Sequence, residues 1–61
     1  MYEKFYNLLF QRNITAYRVA KDTGIPIATL YDWKYGKSKP KVDKLLILAN
    51  YFDVSIDYFI K

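Results

Sequence analysis

From Thr15 to Gly36 the chain reads Thr15-Ala16-Tyr17-Arg18-Val19-Ala20-Lys21-Asp22-Thr23-Gly24-Ile25-Pro26-Ile27-Ala28-Thr29-Leu30-Tyr31-Asp32-Trp33-Lys34-Tyr35-Gly36. Thr15 is a good N-cap, Val19 and the small Ala20 make an inward stripe, and Gly24 supplies a left-handed closing residue, so a two-turn helix is expected over about residues 16–23. Gly24-Ile25-Pro26 cannot continue that helix. The φ of Pro26 nonetheless suits a first helical position, and a second short helix is expected over about residues 27–34. Leu30 and Trp33 are its inward positions by spacing, which leaves Ile27, Ala28, Tyr31 and Asp32 on the opposite side. That outer face is unusually apolar. Two short helices hinged at one glycine with almost no linker read as a helix-turn-helix.

The flanks complete an all-α domain. Upstream, Tyr2, Phe5, Tyr6 and Leu9 follow the i, i+3, i+4, i+7 series and predict a helix reaching about Arg12, closed by Asn13, with Ile14 tucked inward. Downstream, Gly36 ends the second short helix and Lys37-Ser38-Lys39-Pro40 is an exposed loop. Leu45, Leu48, Ala49 and Phe52 repeat the helical series over about residues 42–52, with Asp53 as the left-handed stop. Ser55 then caps a last short helix over about residues 56–60. Five helices and no strand-like alternation are expected.

Sixty-one residues allow one domain, because a chain of this size buries only about 60% of the surface it exposes when unfolded. It is expected to span residues 1–61. With 52% hydrophobic residues, including seven Tyr, four Phe and one Trp, it can build a core without staples. It contains neither Cys nor His, which removes disulfides, thiolate or imidazole metal sites and catalysis by a Cys nucleophile or His base. No enzyme, cofactor, metal or small-molecule substrate is expected. The longest apolar run, Leu45 to Ala49, is far short of the roughly 20 residues of a membrane span. No basic start followed by an apolar stretch marks an export signal, so a cytoplasmic location is expected. The net charge of +4 and a pI near 9.4 point to an anionic partner.

The segment Thr15 to Ile25, the segment Thr29 to Pro40 and the tail Leu48-Ala49-Asn50-Tyr51-Phe52-Asp53-Val54-Ser55-Ile56-Asp57 resemble the Cro and lambda-repressor type DNA-binding domains. The resemblance covers nearly the whole chain and rests on Ala20, Gly24, Trp33, Gly36, Pro40 and Val54-Ser55 at matching spacing. It implies a compact five-helix, lambda-repressor-like domain whose residues 27–34 form a recognition helix for the DNA major groove. Base contacts are then expected from Ile27, Ala28, Tyr31 and Asp32. The family often has Gln, Arg, Ser or Asn at the first two positions. Here Ile27 and Ala28 would instead pack on thymine methyl groups, and Asp32 would accept from a cytosine amino group. Burial against the preceding helix is the other reading of Ile27.

Phosphate contacts are expected from Thr15, Arg18, Thr29, Lys34, Tyr35, Lys37 and Lys39. Ala16 replaces a frequent Gln, and Arg18 replaces a frequent capping-box Glu, so that reciprocal cap is lost. Arg18 either reaches phosphate or is solvated, Thr15 is also an N-cap, and Thr29 is either a phosphate contact or a packing residue. Five Lys fall within residues 34–44 alongside one acid, Asp43, where the resemblance places a loop gripping the sugar-phosphate backbone. Trp33 reads as core by its spacing from Leu30, and not as a base-stacking residue. Tyr51, Tyr58, Phe59 and Ile60 exceed what so small a core needs and suggest a surface for a homodimer on DNA, which Leu46 and Ile47 either extend or leave by packing on the first helix.

The function expected is a sequence-specific, double-stranded DNA-binding transcriptional regulator, a phage or mobile-element repressor or Cro-like protein acting by operator occupancy. It would be a minimal regulator or an excised domain. The rival reading is a protein-interaction module, antitoxin-like or adaptor, whose Ile27 and Tyr31 face a protein groove.

Overall fold

Four of the five helices of this protein end one or two residues before a residue that turns left-handed, and those stops divide the chain. The computed structural model describes residues 1–60. Its elements are α1 (Tyr2–Arg12), α2 (Ala16–Thr23), α3 (Ile27–Lys34), α4 (Val42–Phe52) and α5 (Asp57–Ile60). α1 closes at Asn13, with φ 55°, where the amides of Asn13 and Ile14 donate to the carbonyls of Phe10 and Leu9 at 3.2 and 3.0 Å. α4 closes in the same way at Asp53, φ 57°, with the Val54 amide 3.0 Å from the Ala49 carbonyl. This paired capping satisfies carbonyls that have no partner within the helix, and it turns Ile14 and Val54 back against the core.

The α2–α3 turn is held by side chain as well as backbone. Gly24, φ 81°, donates to the Ala20 carbonyl at 2.9 Å. The Thr23 hydroxyl donates to the Val19 carbonyl at 2.7 Å and accepts from the Ile25 amide at 3.3 Å. Ile25 is thereby driven inward to 2% exposure. Its sequence context reads only as turn, so the structure adds it to the core. Pro26 lies just before α3 as its cap residue, with ψ 139°, one position outside the helix.

One apolar core unites the five helices. Phe5, Leu8 and Leu9 from α1 meet Val19 of α2, Leu30 and Trp33 of α3, and Leu45, Leu48, Ala49 and Phe52 of α4. The Phe5 and Phe52 rings meet edge to face with centroids 6.1 Å apart. Side chains of this size stabilise the fold by about 1.5–3 kcal/mol each when fully buried. α5 packs against α1 and α4 and inserts Phe59, 4% exposed, into that core.

Two polar ties fasten α4. Nη2 of Arg12 donates to the Phe52 carbonyl at 2.8 Å, and the guanidinium lies 5.9 Å from the Phe52 ring centroid. A cation at a helix C-terminus both fills an orphan acceptor and opposes the negative end of the dipole. On the other side, the Tyr51 hydroxyl donates to Oδ2 of Asp22 at 2.5 Å, and Nε of Arg18 reaches the same oxygen at 2.9 Å. The Tyr51 bond is the main reason the Asp22 carboxyl is held below its ordinary pKa, and the same bond raises that of Tyr51. α2 is thus tied to the end of α4.

Candidate nucleic-acid interface

α3 is oriented by the two residues it buries. Leu30 is sealed in the core and Trp33 is 6% exposed, as the spacing predicts, so the opposite side of the helix faces solvent. Ala28 and Tyr31 stand on that side. Asp32 and Thr29 are half-buried at its edge. Ile27 is half-buried and packs against the core, as its burial reading expects, and shows solvent only part of its surface. The outward face therefore offers a methyl, a phenol ring and a carboxylate, with no amide or guanidinium to bond a purine edge through two hydrogen bonds.

The start of α2 lies beside this face, since α2 and α3 pack directly on each other. Thr15 is the N-cap: its Oγ1 accepts from the Arg18 amide at 3.1 Å. Its hydroxyl proton stays available to donate to a phosphate. Arg18 is neither free nor merely solvated, because its Nε is engaged by Asp22. Tyr17, in the first turn of α2, is 70% exposed. The sequence reading passed over it, although its place two residues before the inward Val19 turns it about 200° away from that side of the helix.

After α3 the chain turns sharply. Gly36, φ 74°, closes the helix as the amides of Gly36 and Lys37 donate to the carbonyls of Trp33 and Asp32 at 3.3 and 2.8 Å. This fixes where the basic loop leaves α3. Lys34, Tyr35, Lys37 and Lys39 are all exposed, and Lys34 Nζ lies 5.6 Å from the Tyr35 ring centroid. Among the described residues no carboxylate forms an ion pair with Lys34, Lys37, Lys39 or Lys41, whereas Lys44 lies 4.0 Å from Asp43. Lysines without a carboxylate partner can neutralise the phosphates of a polyanion, and Lys34 lies in the last turn of α3, where the helix dipole favours a cation.

The expected C-terminal dimer surface is corrected at Phe59. Its ring is a core residue, because a core assembled from short helices has to be closed by α5. Tyr51 and Tyr58 are half-buried, and the Tyr51 hydroxyl is taken by Asp22. Ile60 alone of the four is well exposed. Leu46 and Ile47 are exposed on α4 together with Val42, and do not fill the core under α1.

Among the described residues no group of three or more His, Cys, Asp or Glu is placed to hold a metal, and no helix is long and apolar enough to cross a membrane. A family model described as helix-turn-helix matches residues 7–59. No curated protein and no solved structure matches the chain. The chain belongs to the helix-turn-helix family of the Cro and lambda-repressor type, a non-catalytic family whose general role is DNA binding in transcriptional regulation.

Proposed function

We propose, from that membership, that the protein recognises a specific double-stranded operator in the cytoplasm and regulates transcription by occupying it, as a phage or mobile-element repressor or Cro-like protein does. One observation carries the reading: the exposed face of α3 is followed at once by a loop of lysines that no carboxylate among the described residues pairs with. Ala28, Tyr31 and Asp32, with the exposed part of Ile27, would meet base edges. Thr15, Tyr35, Lys34, Lys37 and Lys39 would hold the sugar-phosphate backbone, with Thr29 at the edge of the same surface. Pairing of two copies on a two-fold operator belongs to this reading, with Ile60 in place of the aromatic tail as the apolar contact.

Selection of binding fragments from random duplexes, followed by footprinting, would identify the operator. Titrating the Lys37→Ala, Lys39→Ala double variant against operator and random duplex then tests the mechanism. Each lost phosphate contact should lower the salt slope by roughly 0.9, and should do so for every sequence alike. An unchanged slope would refute phosphate binding by this loop. A partner that binds with little salt dependence would instead favour the protein-interaction reading, to which the exposed Tyr31 lends itself.

A further inference from the structure

An open groove of about 570 Å³ runs between α1 and α3, and it reaches the start of α2. Its lining is rich in aromatic rings: Tyr2, Tyr6 and Phe10 from α1 and Tyr31 from α3, together with Thr15 at the cap of α2. Phe10 is 79% exposed, far more than a Phe with only a packing role would be. Lys34 is the one cation among the lining residues, and none of them is acidic. The phenol of Tyr2 is raised above its ordinary pKa mainly by burial, and it feels the charges of Lys34, Tyr31 and Tyr6. Aromatic rings and one ammonium group thus line one cleft, with Tyr2 the half-buried ring among them.

From this charge complementarity and these walls, we propose that the groove binds a planar aromatic carboxylate, its ring between the α1 aromatics and Tyr31 and its carboxylate against Lys34. The volume lies within the range of small-molecule sites, and aromatic rings prefer edge-to-face or offset packing of the kind four such side chains offer. A second cleft of about 640 Å³, beneath the 36–40 loop, mixes Glu3 with Lys34 and Lys39 and has no such single sign. The location gives the ligand a consequence. Tyr31, Lys34 and Thr15 belong also to the proposed DNA surface, so groove ligand and DNA exclude one another. The site stands independently of the DNA reading, and only this exclusion rests on it.

The probes are indole-3-acetate and its uncharged relative indole-3-ethanol, titrated into the isotope-labelled protein with amide shifts recorded. A fragment of this size should bind with a Kd of about a millimolar. Shifts should centre on Phe10, Ala16, Tyr31 and Lys34, with the carboxylate bound about tenfold more tightly than the alcohol. Lys34→Met should erase that preference, and Phe10→Ala, on the surface and harmless to the core, should weaken both probes. Absence of shifts at about 10 mM, shifts centred elsewhere, or a carboxylate preference that survives Lys34→Met would overturn the site. A saturating random duplex at low salt should displace the indole-3-acetate. Simultaneous binding of both would overturn the exclusion, whereas probe binding to a protein that fails to take up any duplex would refute the DNA reading and leave the groove standing.

Discussion

At the residue scale the chemistry of α3 is defined by what it lacks. Ala28 and the exposed part of Ile27 have no hydrogen bond to give, so discrimination at their base pairs falls to thymine methyl contacts and DNA shape. Asp32 then carries the one strong polar preference. A carboxylate accepts from the cytosine amino group and is repelled by guanine acceptors and by phosphates. Asp32→Asn should therefore relax the choice at one base pair per half-site by about 1–3 kcal/mol and raise nonspecific affinity slightly. Ile27→Ala should reduce discrimination between thymine and uracil at a single position. Competition titrations with single-base and uracil-substituted operators check both, and identical profiles for wild type and variants would mean that α3 does not read bases in this way.

At the scale of the element, the helices are short and their ends matter as much as their interiors. Four of them end on a residue with positive φ or pass into one, two being Gly and two being Asn13 and Asp53. An added Cβ at Gly24 would meet nothing within 4 Å, so the effect of Gly24→Ala is conformational alone. Forcing an L-residue left-handed costs about 1–2 kcal/mol. In a domain of roughly 60 residues each kcal/mol lowers Tm by about 4–8 °C. Asp53→Gly should act in the opposite direction, by roughly 0.5 kcal/mol, because relief of the left-handed strain exceeds the greater freedom of glycine in the unfolded chain. Thermal melts of the two variants should bracket wild type, and a shift of the same sign in both would contradict this account of the stops.

At the scale of the whole molecule, α2 reaches the core through Val19 and is also tied to α4 at the surface by the Tyr51–Asp22 bond, with Arg18 on the same carboxylate oxygen. Asp22 titrates below its ordinary pKa in the folded protein. Its contribution to stability is therefore full above the unfolded-state value of 3.8 and is lost as pH falls through the lower folded value. Tyr51 has the opposite sense: its raised pKa gives stability that is present below the ordinary tyrosine range and lost as pH rises through the folded value. Tyr51→Phe should thus lower Tm at neutral pH and flatten its fall as the pH drops below 3.8. Melts of wild type and variant across that range test the tie, and parallel curves would show that the bond does not hold α2 in solution.

The sequence alone determined the helices, their order and their stops, since period, caps and left-handed residues are local properties whose energies act within a turn or two of chain. It placed Trp33 in the core and the lysines outside for the same reason. The resemblance carried by residues 15–57 extended that to the family. Ile25 was illegible because nothing local distinguishes an apolar turn residue that points inward from one that points out; the Thr23 bridge and the space between α2 and α3 decide it. Phe59 was misjudged because a residue count cannot say how much apolar surface a five-helix core still needs once α1 and α4 have met. The Arg12 cap, the Asp22–Tyr51 tie and the aromatic groove join residues far apart in sequence, α1 to α4, α2 to α4 and α1 to α3. Such pairings depend on helix crossing angles, which packing of the whole chain sets and no segment encodes by itself.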